Sequence, residues 1–183
     1  MTIKLVVLDR DGVINHDSDT FIRSAGEWLP IDGSLEAIAL LGTNGFTVAV
    51  ASNQSGIARG HFDRDTLDDI HATMRAAVAA AGGEIDRVVF CPHGPDDNCF
   101  CRKPAPGLLE ELADHYAASM RGVPFIGDSL RDLQAAKAVG ARAILVRTGK
   151  GVATERALTT DFGAVEIYDN LLAAAQHLIA EPT

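Results

Sequence analysis

Short apolar runs alternate with longer segments of helical periodicity along most of the chain. Leu5–Leu8 is four consecutive apolar residues, too short and too β-branched for a helix of its own, and reads as a buried strand. The same pattern recurs at Phe46–Ala51, Arg87–Phe90, Val123–Ile126 and Ala143–Val146, with Ala164–Ile167 as a last edge strand. Between the first two runs, Leu35, Ile38, Leu40 and Leu41 follow Asp32-Gly-Ser34 and predict a helix over about 33–43. Leu67, Ile70, Met74, Ala77, Val78 and Ala81 form one face of a long amphipathic helix running from Asp63 to Gly82-Gly83. Leu108, Leu109, Leu112 and Tyr116 mark another helix, and two more end near Val139 and span Leu171–Ile179. Strands alternating with helices predict a parallel three-layer α/β sheet, in which ligands collect at the carboxyl ends of strands. The polar, irregular stretch Asn15–Trp28 is long enough to fold over such an end, and Thr148–Gly151 is expected to turn the chain outward.

A length of 183 residues fits one domain over 1–183 with a sizeable core, and 47% hydrophobic residues support a globular fold. The net charge of −9 argues against nucleic acid or an anionic membrane as the main partner, since both reward basic patches. No apolar run approaches a membrane span, and the first residues enter a strand without a basic leader. A soluble, cytoplasmic protein acting on a small molecule is the expectation. Cys91, Cys99 and Cys101 lie within eleven residues, which suits a reducing compartment and a bound metal better than a disulfide framework.

Candidate chemistry gathers where the predicted strands end. Asp9-Arg-Asp-Gly12 follows the first, and alternation along a strand lets Asp9 and Asp11 point the same way while Gly12 turns the backbone. Carboxylates sharing a pocket repel unless a cation or a shared proton relieves them, and either arrangement serves catalysis. Alone, the tetrapeptide is equally an ordinary Asx-type turn. Ser52-Asn-Gln-Ser-Gly56 ends the second strand with the hydroxyl, amides and N–H groups that hold phosphoryl oxygens, or else is a plain strand-to-loop junction. Cys91-Pro-His93 and Cys99-Phe-Cys101 supply three thiols and an imidazole, enough to close a tetrahedron around zinc. Four protein ligands leave no open position, so such a zinc is structural. Arg102-Lys103-Pro104 follows the clip at once, and Gly127-Asp128 with Asp132 ends the fourth strand. Asp9, Ser52, Lys103 and Asp128 thus all lie at or shortly after strand ends.

Taken together, Asp9-x-Asp11-Gly12, Ser52-Asn53, Lys103 and Gly127-Asp128 with Asp132 resemble, in order, the motifs of the haloacid dehalogenase-like phosphohydrolases. Asp9-Arg-Asp-Gly, Ser52-Asn-Gln-Ser-Gly-Ile-Ala-Arg59 and Cys101-Arg-Lys-Pro104, with a zinc loop over about 91–101, look like the branch that acts on heptose bisphosphates and histidinol phosphate. The resemblance implies a Rossmann-like three-layer sheet without a large cap. It implies a catalytic Mg²⁺ held by the Asp9 carboxylate, the Asp11 backbone carbonyl and Asp128, hard oxygen ligands of the kind that ion takes. Asp9 would be the nucleophile and Asp11 the acid and base, with Ser52 and Lys103 holding the transferring oxygens. Arg102 would recognise the rest of the substrate through its planar fork. Asp17, Ser18, Asp19, Thr20, Asn53, Gln54 and Ser55 match the branch's substrate loops, and Arg10 and Ser129 are placed with them, the latter where some relatives carry Lys. The implied reaction removes the 7-phosphate of D-glycero-D-manno-heptose 1,7-bisphosphate, a step toward nucleotide-activated heptose for surface polysaccharide. Histidinol phosphate is the alternative substrate, and a monomer is the expected state.

Overall fold

The computed structural model describes residues 3–181. Its six strands are β1 (Leu5–Leu8), β2 (Thr47–Asn53), β3 (Arg87–Cys91), β4 (Pro124–Gly127), β5 (Arg142–Val146) and β6 (Glu166–Tyr168). They form one parallel sheet in the order β3-β2-β1-β4-β5-β6. The helices are α1 (Ser34–Thr43), α2 (Arg64–Ala80), α3 (Gly107–Tyr116), α4 (Leu130–Ala138), α5 (Gly151–Ala157) and α6 (Leu171–Ala180).

Alternation along the strands divides the interior into two cores. Val6, Leu8, Val48, Val50, Ile126 and Ile144 face Ile38 and Leu41 of α1, Ile70 and Met74 of α2 and Leu171 and Leu178 of α6. Leu5, Val7, Ala49, Ala51 and Phe125 face Leu108, Leu109 and Leu112 of α3 and Ala135 and Ala136 of α4. The sheet is therefore covered on both sides, as the continuous apolar runs require. Order reverses beside β1: the chain first builds outward through β2 and β3, then crosses back to β4. That reversal opens a crevice at the carboxyl end of β1, which is where Asp9 stands.

Several boundaries differ from the sequence expectation, most by a residue. β2 continues two residues past the apolar run, because Ser52 and Asn53 still pair with Phe90 and Cys91 of β3. Ladder bonding between main chains, not side-chain polarity, sets where that strand stops. β6 sits slightly later than Ala164–Ile167, at Glu166–Tyr168. Thr148–Gly151 does turn the chain, but α5 follows directly, and its seven residues are too few to show an apolar period. This helix is fastened by Thr154, whose hydroxyl donates to the Asp128 carbonyl at 2.8 Å.

Candidate active site

The carboxyl ends of β1, β2 and β4 enclose a cavity of about 470 Å³ whose walls include Asp9, Asp11, Ser52, Lys103, Asp128 and Asp132. Lys103 is its electrostatic centre. The ammonium, 2% exposed, lies 2.9 Å from Asp9 Oδ1 and 2.6 Å from Asp132 Oδ1, and donates to the Ala51 carbonyl at 2.8 Å. Burial alone would lower its pKa, yet Asp132 and Asp9 outweigh that and hold it above the ordinary lysine value. Asn53 fixes the lysine's main chain, its Oδ1 accepting from the Lys103 N–H and its Nδ2 donating to the Lys103 carbonyl, both at 3.0 Å. Asn53, expected at the substrate, lines the cavity but gives its amide to this staple.

Asp9 is held asymmetrically. Oδ1 accepts from the Arg10 N–H at 2.7 Å as well as pairing with Lys103, while Oδ2 accepts no hydrogen bond among the described residues. Burial pushes the Asp9 carboxyl well above its usual range; Lys103 opposes this, and the neighbouring Asp132 and Asp128 add to it. Asp128 is likewise pushed up to about 7 by burial, against the Lys150 N–H that donates to its Oδ2 at 2.8 Å. Oxygens of Asp9, Asp128 and Asp132 lie within 4.8 Å of one another. Three acids around one ammonium leave negative charge that the protein does not balance, and an all-oxygen donor set fits a hard divalent cation. The seat is shaped by two glycines: a Cβ on Gly12 would lie 2.1 Å from Asp128 Oδ2, and one on Gly149 2.2 Å from the same atom. Both adopt positive φ, a conformation that side chains resist.

Asp11 lines the same cavity but is held apart from that cluster. The strand ends at Leu8, so the expected alternation gives way to a turn in which the Ile14 N–H donates to the Arg10 carbonyl and the Gly12 N–H to the Asn15 carbonyl. Arg10 Nε and Nη2 each donate to the Asp11 carboxylate at 3.0 Å, and Asn15 Nδ2 donates at 2.9 Å. Burial would raise the Asp11 pKa, but Arg10 and the hydrogen bonds from Asn15 and Gln54 bring it below the usual value. Arg10, expected at the substrate, lines the cavity but is 1% exposed and gives its guanidinium to this clamp. Asp17, Ser18, Asp19, Ser55, Arg102 and Ser129 do line the cavity. Thr20 does not: its hydroxyl pairs with Ser18 Oγ at 3.1 Å.

One participant is read from the sequence without its role, and another escapes it. Asp132 reaches back from the first turn of α4 to accept from the Ser129 N–H and hydroxyl at 3.0 and 2.7 Å, while its other oxygen holds Lys103. Its signal was its place beside Asp128, though not its role. Lys150 ties the entrance to the metal seat, its Nζ pairing with Asp17 and its N–H with Asp128. Nothing in the local sequence around Lys150 marks it.

Beside the cavity, Cys91 Sγ lies 3.5 Å from Cys99 Sγ and 3.1 Å from Cys101 Sγ, with His93 Nδ1 3.2 Å from Cys101 Sγ. All three thiols are free. Sulfurs about 2.3 Å from a central zinc sit about 3.8 Å apart, so this nearly closed group has the dimensions of a four-ligand metal site. Arg102 leaves the clip with Nη1 donating to the His93 carbonyl at 3.2 Å.

A family model described as HAD-hydrolase-like matches residues 100–174. The D-glycero-β-D-manno-heptose-1,7-bisphosphate 7-phosphatase of Pseudomonas putida is 55% identical over 180 residues, covering 97% of this chain and all of that one. The protein of the same name from Escherichia coli is 35% identical over 170 residues, 88% of each chain. The D,D-heptose 1,7-bisphosphate phosphatase of Bordetella bronchiseptica, solved with magnesium and phosphate, superposes with a TM-score of 0.94 at 48% identity, covering 98% of this chain and 100% of that one. With relatives this similar over nearly its whole length, and a parallel six-stranded sheet carrying the acids at its switch point, the chain belongs to the haloacid dehalogenase-like phosphatases, in the branch of the heptose bisphosphate phosphatases.

Proposed function

We propose that this protein is a Mg²⁺-dependent phosphomonoester hydrolase that removes the 7-phosphate of D-glycero-D-manno-heptose 1,7-bisphosphate and releases heptose 1-phosphate. The observation that carries this reading is the asymmetry of Asp9. One oxygen is pinned by Lys103 and the Arg10 N–H, and the other has no partner among the described residues, beside a seat of acids fit for a divalent ion. A carboxylate so held presents a single oriented oxygen to phosphorus.

Asp9 Oδ2 attacks the phosphorus and forms an aspartyl-phosphate as the bond to the sugar oxygen breaks, and Asp11, which must take up a proton beforehand against the lowering by Arg10, gives it to that departing oxygen. Asp11 then takes a proton from the water that hydrolyses the acyl phosphate. Asp9, the Asp11 carbonyl and Asp128 would hold Mg²⁺, which would supply charge to offset that on the phosphoryl oxygens. Lys103, whose ammonium donates to the Ala51 carbonyl and pairs with Asp9 and Asp132, contributes positive charge from behind, and Ser52 donates its hydroxyl. Arg102 meets the second phosphate at the cavity mouth, and Asp17, Ser18, Asp19 and Ser129 face the sugar. Cys91, His93, Cys99 and Cys101 of the clip would hold a structural zinc.

The names of the closely similar relatives favour the heptose substrate over histidinol phosphate. We place the reaction in the cytoplasm, as a step toward lipopolysaccharide heptose, performed by a monomer. Among the described residues no helix is long and apolar enough to cross a membrane. Steady-state phosphate release from both substrates tests the assignment: higher kcat/KM on the heptose bisphosphate is expected, with Asp9→Asn inactive on either. Equal or better turnover of histidinol phosphate reverses the choice of substrate.

A further inference from the structure

Gln54 matches a substrate loop, yet every polar atom of its side chain is spent on protein. The residue is 4% exposed. Its Nε2 donates to Asp11 Oδ2 at 3.0 Å and to Ser52 Oγ at 2.7 Å, and its Oε1 accepts from Arg10 Nη2 at 3.1 Å. Chemistry fixes which end of the amide is which. A guanidinium only donates, so the atom facing Arg10 is oxygen, and the atom facing the Asp11 carboxylate is then nitrogen. Both amide hydrogens are thereby committed, one to each catalytic partner.

The consequence falls on Ser52. Its oxygen accepts from Gln54 and therefore cannot donate back along the same line, and its hydroxyl makes no other hydrogen bond among the described residues. The single hydroxyl proton is left for a ligand oxygen in the cavity, the orientation that holding a phosphoryl group requires. The same amide keeps the proton carrier Asp11 at a set distance from that hydroxyl. The Gln54 backbone is anchored independently, its N–H donating to the Cys91 carbonyl at 2.7 Å, so the side chain starts from a rigid point.

We propose that Gln54 is a positioning residue that couples the phosphoryl-holding hydroxyl of Ser52 to the proton carrier Asp11 through one amide group, with Arg10 setting the amide's orientation. This inference rests on the roles assigned above to Ser52 and Asp11. Gln54→Met keeps the length and removes all three bonds. With the heptose bisphosphate, kcat is expected to fall by ~10–100-fold, a share of what a placed acid or base contributes. KM, and the inhibition constant of inorganic phosphate, stay within about threefold of the parent, since Gln54, though it lines the cavity, has its polar atoms committed to protein groups. In an Asp11→Asn background the added loss is much smaller than in the parent, because the partner being oriented is already disabled. A raised KM with kcat retained makes Gln54 a substrate contact and overturns the proposal, as do losses that simply multiply. If the Met variant does not fold, the isosteric Gln54→Glu, which keeps the acceptor for Arg10 and loses both donors, reads the same split. Full activity in Asp11→Asn alone defeats the underlying acid–base reading instead, whatever Gln54 does.

Discussion

Lys103 shows how one residue links stability to chemistry. Its ammonium is the only cation paired with Asp9 and Asp132 among the described residues, and all three side chains are largely buried. Lys103→Met strands two buried acids, and removing one partner of a buried pair costs about 3–5 kcal/mol. Urea unfolding is expected to show that loss, with Mg²⁺ restoring part of it, and phosphate release to be abolished. His71 makes a second, independent prediction. It is 7% exposed, edge-on to Phe90 with ring centroids 5.7 Å apart, and burial followed by the charge of Arg10 lowers its pKa from 6.5 to about 3. The unfolded chain then binds a proton that the native state refuses, so stability is full above pH 6.5 and falls as pH drops toward 3. The slope from this residue is at most about 1.4 kcal/mol per pH unit. Unfolding free energies from pH 7 to 4.5 should be flatter in His71→Leu than in the parent after subtracting the common background. Asp9, Ser52, Lys103 and Asp128 are legible in the sequence because each follows a strand or the clip. Asn53 and Asp132 are legible as motif residues but not in role, and Lys150 not at all, since all three act on other protein groups.

At the scale of elements, the clip and the strand beside it work as one support. β2 ends in Asn53, whose amide grips the Lys103 main chain, and Cys101 stands two residues before that lysine. Metal in the clip would therefore steady the segment that carries Arg102 and Lys103. One zinc per chain is expected by elemental analysis, and chelation should lower the unfolding midpoint and raise KM for the bisphosphate. A native Cys99–Cys101 disulfide is incompatible with this. The strands and the longer helices can be read from apolar runs and periodicity because each buries a continuous face. What escapes is set by partners remote in sequence: the last two residues of β2 are held by β3, and α5 by Thr154 against Asp128. The turn after Leu8 is of the same kind, because Arg10, Asn15 and Gln54 draw the Asp11 carboxylate away from the strand's alternation.

Across the whole molecule, two apolar cores share a single sheet, one packed by α1, α2 and α6 and the other by α3 and α4. Neither can dissolve without stripping a face of the same strands, so we propose that residues 1–183 unfold as one domain. Far-ultraviolet and near-ultraviolet circular dichroism should report coincident denaturant transitions, whereas separated midpoints refute it. The metal seat depends on the same unity. Asp128 is wedged between Gly12 and Gly149, and the Thr148 hydroxyl closes on the Gly12 carbonyl at 2.6 Å across 136 positions of sequence. A ribosome must have released the chain as far as Gly149 before that wedge exists. A chain cut short before Gly149, however well folded at its start, is expected to lack that seat and with it any cleavage power with which to spoil the sugar phosphates around it.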